Sequence, residues 1–323
     1  MRVTVIGAGA VGGWLAATLA RGGAEVAILA RGATLATIRS SGLTLIEGER
    51  RQTFPFPASD LVQDLPEPDV IVLAVKTYAF AEAVTWGAPA FAHGPLVVTA
   101  MNGLPWWFLD GLEGPLANQR LESVDPGGKA AAMLGNVRPI GAVVHASMRA
   151  EAPGIIRVPA VDRLILGEPA GDVSGEAIEL SRLIAAGDVT CPIANDIRLE
   201  IWAKLWGNMN MNPVSALTRL TANGIFGEPR LLELVRDMMT EFVRVGERLG
   251  IALPMSVEQR LVVTRRLGDF RTSMLNDVEA GRALEVEGLL GVVVELAEKL
   301  GESVPASRAA YALARGLNRR HSD

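Results

Sequence analysis

A chain of 323 residues is long for one domain and comfortable for two. With 49% hydrophobic and 21% charged residues, its composition is that of an ordinary globular protein. A net charge of -5 and a pI near 5.4 argue against a broad basic footprint for nucleic acid. Cys191 is the single cysteine, so no internal disulfide forms, and His93, His145 and His321 are too scattered for metal-ligand spacing. Metal-free chemistry is therefore expected. The N-terminus lacks the pattern of a secretory leader, and no apolar run reaches the length of a membrane span. The expectation is a cytoplasmic protein without membrane or nucleic-acid partners, with the basic run from Arg315 to Arg320 as a solvated tail.

Arg2 to Ile6 reads as a short buried strand running into Gly7-Ala8-Gly9-Ala10-Val11-Gly12. A helical pattern follows and closes at Gly22-Gly23. Residues 25–30 form a second apolar strand, which gives the β-α-β rhythm of a doubly wound sheet. Residues 43–47 and 53–56 predict a hairpin around Glu47-Gly48. A strand at 69–75, a short helix near 79–86 and a strand at 95–100 come next, the last ending in Met101-Asn102-Gly103. Residues 103–139 carry no clear period. Residues 140–147, 154–158 and 164–166 read as strands that extend the sheet. From Asn195 the pattern is helical, with turn signals at Asn212-Pro213 and Gly227-Glu228-Pro229. The spacing predicts an α/β Rossmann-type domain over 1–194 and an all-helical C-terminal domain over 195–323.

The Gly7–Gly12 segment matches G-x-G-x-x-G between a strand and a helix, the context that a dinucleotide site requires. Gly7 permits the tight turn, Gly9 lets backbone approach a pyrophosphate, and Gly12 lets helix and strand pack closely. The helix N-terminus then offers free N–H groups to phosphates. An NAD enzyme places an acid after the second strand to bind the ribose 2′-OH, but here the place is Ala30-Arg31. A guanidinium at Arg31 suits a 2′-phosphate, which points to NADP(H). Lys76 and Asn102 also follow strands, and ligands of open parallel sheets bind outside such carboxyl ends.

In the helical region Lys204, Asn208 and Asn212 are spaced i, i+4, i+8 and form one polar stripe. By spacing alone this stripe is either a buried polar site or an exposed face with Asn212 capping before Pro213. Ser273 and Glu285, twelve residues apart, would stand at two ends of one amphipathic helix.

Taken together, GAGAVG, Arg31 after the second strand, AVK, MNG, IWAKLWGNMNMNP and SMLNDVEAGRALE resemble the ketopantoate reductase family, in order and spacing from residue 1 to about 300. The resemblance implies a Rossmann domain, a helical domain and reduction of a 2-oxo acid to a D-2-hydroxy acid with NADPH. The namesake reaction belongs to pantothenate biosynthesis. Lys204 matches the family's catalytic lysine, and Asn208 and Asn212 match asparagines that bind substrate. Ser273 matches the serine that holds the substrate carboxylate, and Glu285 a glutamate that touches cofactor and orders the lysine. Lys76 and Asn102 match cofactor-site residues, Asn102 also lying near substrate. Ser147, in His145-Ala146-Ser147, matches the strand that passes the nicotinamide. Asn223 matches a further substrate asparagine once one residue is inserted before it. The implied partners are a small 2-oxo acid and, by analogy of fold, a second copy of the chain.

In this reading a protonated Lys204 donates to the carbonyl oxygen as charge develops on it. The stretch between Asn102-Gly103 and Gly141 is longer than in the namesake enzymes and carries Trp106-Trp107-Phe108. These aromatics either line a pocket for a bulkier acid or pack an insertion. Competing readings are an opine-type imine reductase or 3-hydroxy acid dehydrogenase, and a non-catalytic NADPH sensor.

Overall fold

A computed structural model describes residues 1–319. Arg320 and His321 lie outside the described residues. The chain divides into two compact units. A sheet unit takes residues 1–101 and 128–200, and a helical unit takes residues 102–127 and those from Ile201 onward.

The sheet unit holds one nine-stranded sheet. Its strands are β1 (Arg2–Ile6), β2 (Glu25–Leu29), β3 (Leu43–Glu47), β4 (Arg50–Phe54), β5 (Ala58–Ser59), β6 (Val70–Leu73), β7 (Leu96–Thr99), β8 (Arg138–Ala152) and β9 (Ile155–Gly167). Their order is β4-β3-β9-β8-β7-β6-β1-β2-β5. The centre, β7-β6-β1-β2, is parallel, with Val5 opposite Ile28 on one side and Val72 on the other. These central strands are continuous apolar runs because both faces are covered. The helices of this unit are α1 (Ala10–Arg21), α2 (Gly32–Ser41), α3 (Phe80–Trp86), α4 (Lys129–Met133) and α5 (Gly175–Ala186).

Helix α1 is buried on every side from Gly12 to Leu19. It packs against β2 near one end of the sheet and against β3, β8 and β9 toward the other, so the sheet curls around it. Two glycines, Gly13 within α1 and Gly22 at its end, allow close approach. A Cβ at Gly13 would lie 2.1 Å from Ile156 Cδ1, and one at Gly22 would lie 1.8 Å from the Leu183 carbonyl oxygen of α5.

The hairpin expected around Glu47-Gly48 is present, with Glu47 opposite Arg50. Its second strand starts three residues earlier than residue 53, because Arg50, Arg51 and Gln52 are polar and carry no apolar alternation. The separate strands at 154–158 and 164–166 are one long strand, β9, irregularly paired to β8.

The helical unit contains α6 (Ile197–Thr218), α7 (Ala222–Gly227), α8 (Pro229–Arg248), α9 (Val257–Arg266), α10 (Ser273–Glu279), α11 (Val292–Leu300) and α12 (Pro305–Arg319). A π-helical turn, Glu287–Gly291, leads into α11. Two expectations are corrected here. Asn212-Pro213 is no turn: Pro213 sits inside α6, which continues to Thr218. A helix-interior proline costs about 3 kcal/mol, but Met209, Met211, Val214 and Ala216 are all buried and hold this stretch in place.

The second correction concerns the boundary. A single cut at 194 assigned residues 102–127 to the first domain, whereas they pack with the helices. The cause is the aromatic run. Residues 104–109 are all buried, and the Phe108 ring stacks on Trp202 at 6.0 Å, which in turn stacks on Phe242 at 4.0 Å. Glu295 of α11 fastens the far end, accepting from the Glu122 and Ser123 amides at 2.9 and 2.8 Å. Trp106-Trp107-Phe108 therefore pack the extra segment. Among the described residues no helix is long and apolar enough to cross a membrane.

Candidate active site

In the sheet unit the glycine turn has the geometry its spacing called for. Gly7 has φ +96°, and a Cβ there would lie 2.9 Å from the Ala74 carbonyl oxygen. A Cβ at Gly12 would lie 1.9 Å from the Gly7 carbonyl oxygen, so only glycine lets helix and strand meet. At Gly9 a Cβ would meet nothing within 4 Å, which leaves the backbone there open to an approaching group. Gly9 is also the N-cap of α1, and no side chain caps that helix. Its first amides are thus available to an anion. A cavity of about 430 Å³ lies alongside, lined by Gly7, Ala8, Gly9, Arg31, Glu82 and Trp86 among others.

Arg31 stands at the N-cap of α2, directly beyond β2. It forms an ion pair with Glu82 of α3 at 2.5 Å, and its guanidinium carbon lies 5.4 Å from the centre of the Trp86 ring. The hydrogen bond raises the Arg31 pKa and lowers that of Glu82. Glu82 and Trp86 went unnoticed in the sequence, because nothing local marks two helix residues as neighbours of a residue fifty positions earlier. Lys76 follows β6 and is partly buried, while Ser147 lies on β8 opposite Ala160 with its side chain exposed.

In the helical unit Lys204, Asn208 and Asn212 share one face of α6. Asn212 is 6% exposed, and the other two are partly buried. Among the described residues none of these three side chains makes a hydrogen bond or ion pair within 4 Å. The stripe therefore presents polar groups that no other described side chain occupies. By contrast Asn210, on the opposite face, is buried and donates to the Trp206 carbonyl oxygen.

Burial pushes the Lys204 ammonium down to about 8, and the attraction of Glu285 only partly offsets it. Glu285 is 4% exposed and lies two residues before the start of the π turn. Gly103 packs against that turn: a Cβ on it would lie 2.3 Å from the Gly288 carbonyl oxygen. Asn102 is thereby carried to the neighbourhood of Glu285. Single π turns inside α-helices gather at functional sites.

Ser273 and Glu285 do not share a helix. Ser273 opens α10, which ends at Glu279, and Gly281 with φ +65° breaks the chain direction before Glu285. Ser273 and Asn223 are both exposed, and the Asn223 amide donates to Asp269 at 3.1 Å. Cys191 is buried, and burial pushes its thiol up to about 12, so it stays protonated. No group of three or more His, Cys, Asp or Glu side chains is placed to hold a metal ion among the described residues.

Comparison with known proteins adds to this geometry. Residues 3–171 match the family model described as Ketopantoate reductase PanE/ApbA, and residues 196–318 match its C-terminal counterpart. A 2-dehydropantoate 2-reductase of Mesorhizobium japonicum is 40% identical over 98% of both chains. A solved structure from Ralstonia solanacearum is 39% identical, covers 98% of each chain and superposes with a TM-score of 0.93. The crystal structure of 2-dehydropantoate 2-reductase from Methylococcus capsulatus is 26% identical, with a TM-score of 0.85 over 100% of this chain and 98% of that one.

Proposed function

Because the chain belongs to the ketopantoate reductase family, we propose that it reduces a 2-oxo acid, ketopantoate or a relative of it, to the D-2-hydroxy acid with NADPH, Lys204 giving the proton. The observation that carries this reading is the unpartnered Lys204–Asn208–Asn212 stripe with Glu285 acting on Lys204. A sensor of the cofactor needs no proton donor of that kind. The Rossmann turn supports a dinucleotide: Gly7, Gly9 and Gly12 leave space where a pyrophosphate needs it, and Arg31 supplies the cation for a 2′-phosphate.

When bound, the reduced nicotinamide supplies the hydride that the carbonyl carbon accepts. The chain's own work concerns the oxygen. Negative charge grows there as the carbonyl becomes an alkoxide, and the Lys204 ammonium donates its proton to it. The amides of Asn208 and Asn212 are free to hold the substrate by hydrogen bonds, and the exposed Ser273 hydroxyl to hold its carboxylate. Glu285 keeps the lysine more protonated than burial alone would allow. After release of the hydroxy acid, water returns a proton to the neutral amine. Lys76, Asn102 and Ser147 border the cofactor in this reading, Asn102 and Asn223 border the substrate, and the working protein is a homodimer in the cytoplasm.

The test is a turnover screen with NADPH or NADH and a set of 2-oxo acids including ketopantoate, followed by nicotinamide absorbance. Chiral analysis of the product reads the D configuration, and light scattering reads the dimer. Tight NADPH binding with no turnover on any acid would overturn the reading. Lys204→Ala should abolish turnover while leaving NADPH affinity near that of the parent.

A further inference from the structure

The cation Arg260 on α9 takes no part in what precedes, and sequence reasoning passed over it as one arginine among many. Among the described residues its guanidinium has no acidic partner within 4 Å and no hydrogen bond. Its Nε is sealed from solvent and bonds to nothing. Burial pulls its pKa downward, and no neighbouring charge compensates. Arginine stays charged under all ordinary conditions. The residue is partly exposed while its Nε is sealed, and a guanidinium so placed without an acidic partner is costly.

Its position says which ligand. The guanidinium lies against Gly207 of α6: a Cβ there would fall 2.7 Å from Arg260 Nη2. Glycine inside a helix is unfavourable, and here it clears room for this group. Gly207 is three residues beyond Lys204 and one before Asn208, on the partly exposed side of α6. Three residues of helix rise by about 4.5 Å, so Arg260 meets α6 about one turn from the residue that carries the candidate chemistry.

We propose that Arg260 is a specificity-determining residue that binds a second carboxylate on the substrate, so that the preferred substrate is a 2-oxo diacid of four or five carbons. This rests on the reduction reading given above. The 2-oxo group would meet Lys204, and the distal carboxylate would take the planar fork of the Arg260 guanidinium, one turn further along α6.

The experiment compares 2-oxoglutarate with 2-oxopentanoate, which has the same chain length and no second charge, in the full-length protein. Turnover with NADPH is measured, and binding without turnover is measured by calorimetry in the presence of NADP⁺. The parent should prefer the diacid by about tenfold or more in KM and in affinity. Arg260→Gln should cost the diacid about ten times more than the monoacid in both readouts, and Arg260→Lys should recover part of the difference. Gly207→Ala, which pushes the guanidinium aside, should act in the same direction. A merely structural role would move both acids alike. Equal losses on the two acids, or a parent with no preference for the diacid, would overturn the assignment. Turnover of monoacids alone would leave the reductase reading standing and remove this one. If no acid is turned over, the reductase reading fails, and the binding arm still decides whether Arg260 selects the second carboxylate.

Discussion

Replacing Lys204 by methionine should stabilise the helical unit while removing turnover. Burial brings the ammonium from 10.5 to about 8 despite the pull of Glu285. At about 1.4 kcal/mol for each tenfold change in proton affinity, holding that charge at neutral pH costs about 3 kcal/mol relative to the unfolded chain. Methionine has similar reach and no charge. It also removes the attraction between Lys204 and the buried Glu285, which offsets part of the gain, so a net gain of about 1–2 kcal/mol is expected. The pH dependence identifies the cause. A lysine whose folded pKa is depressed binds fewer protons than the unfolded chain between about 8 and 10.5. Wild-type stability therefore gains with rising pH in that window, and the advantage of the methionine variant shrinks across it. Urea midpoints of both proteins, followed from about pH 6.5 to about pH 10, measure the difference directly. A variant less stable than the parent at neutral pH, or a difference that stays constant to about pH 10, would refute the burial argument.

In the proposed reaction the same shift sets the pH profile. With Lys204 as the proposed proton donor, the rate of reduction should fall as pH rises through about 8, while oxidation of the hydroxy acid should rise there. Glu285→Gln removes the contribution that raises the lysine, and both limbs should move to lower pH in plots of kcat/KM. At the nucleotide turn Arg31 is paired with Glu82, which the 2′-phosphate of the proposed cofactor would have to displace. Glu82→Gln should tighten NADPH binding by up to about fivefold, the scale of one exposed ion pair, and leave NADH little changed. Arg31→Asp should weaken NADPH and relatively favour NADH; dissociation constants from fluorescence titration decide both. Phe108→Ala should lower the stability of the helical unit by about 3–5 kcal/mol, measured by thermal unfolding.

What could be read from the sequence was local in origin. Gly7, Gly9 and Gly12 announce a strand–turn–helix because the three spacings are fixed by one turn of backbone, and Arg31 follows at the end of the next strand. Lys204, Asn208 and Asn212 declare one helix face by their period of four. What escaped was decided by contacts between distant segments. Pro213 looks like a stop until Met209 and Val214 are seen buried beside it. Arg260 looks like one more arginine of a charged helix until it proves to lack a partner and to lean on Gly207. The Lys204 pKa depends on how much protein surrounds it, which no spacing encodes. Residues 103–127 have no period because they wrap around helices instead of forming one.

That wrapping segment has a consequence for how the protein is made. A ribosome delivers Trp106, Trp107 and Phe108 well before it delivers Trp202, on which Phe108 is stacked, and Phe242, which stacks on Trp202 in turn. At about 5–20 residues per second, the three aromatics wait on the order of ten seconds for their partners. During that interval the nascent chain carries a greasy strip next to a half-built sheet. The order of synthesis therefore leaves this run exposed until the helices that cover it are made. It also means that a gene cut once between the units would strand the strip permanently on the wrong fragment.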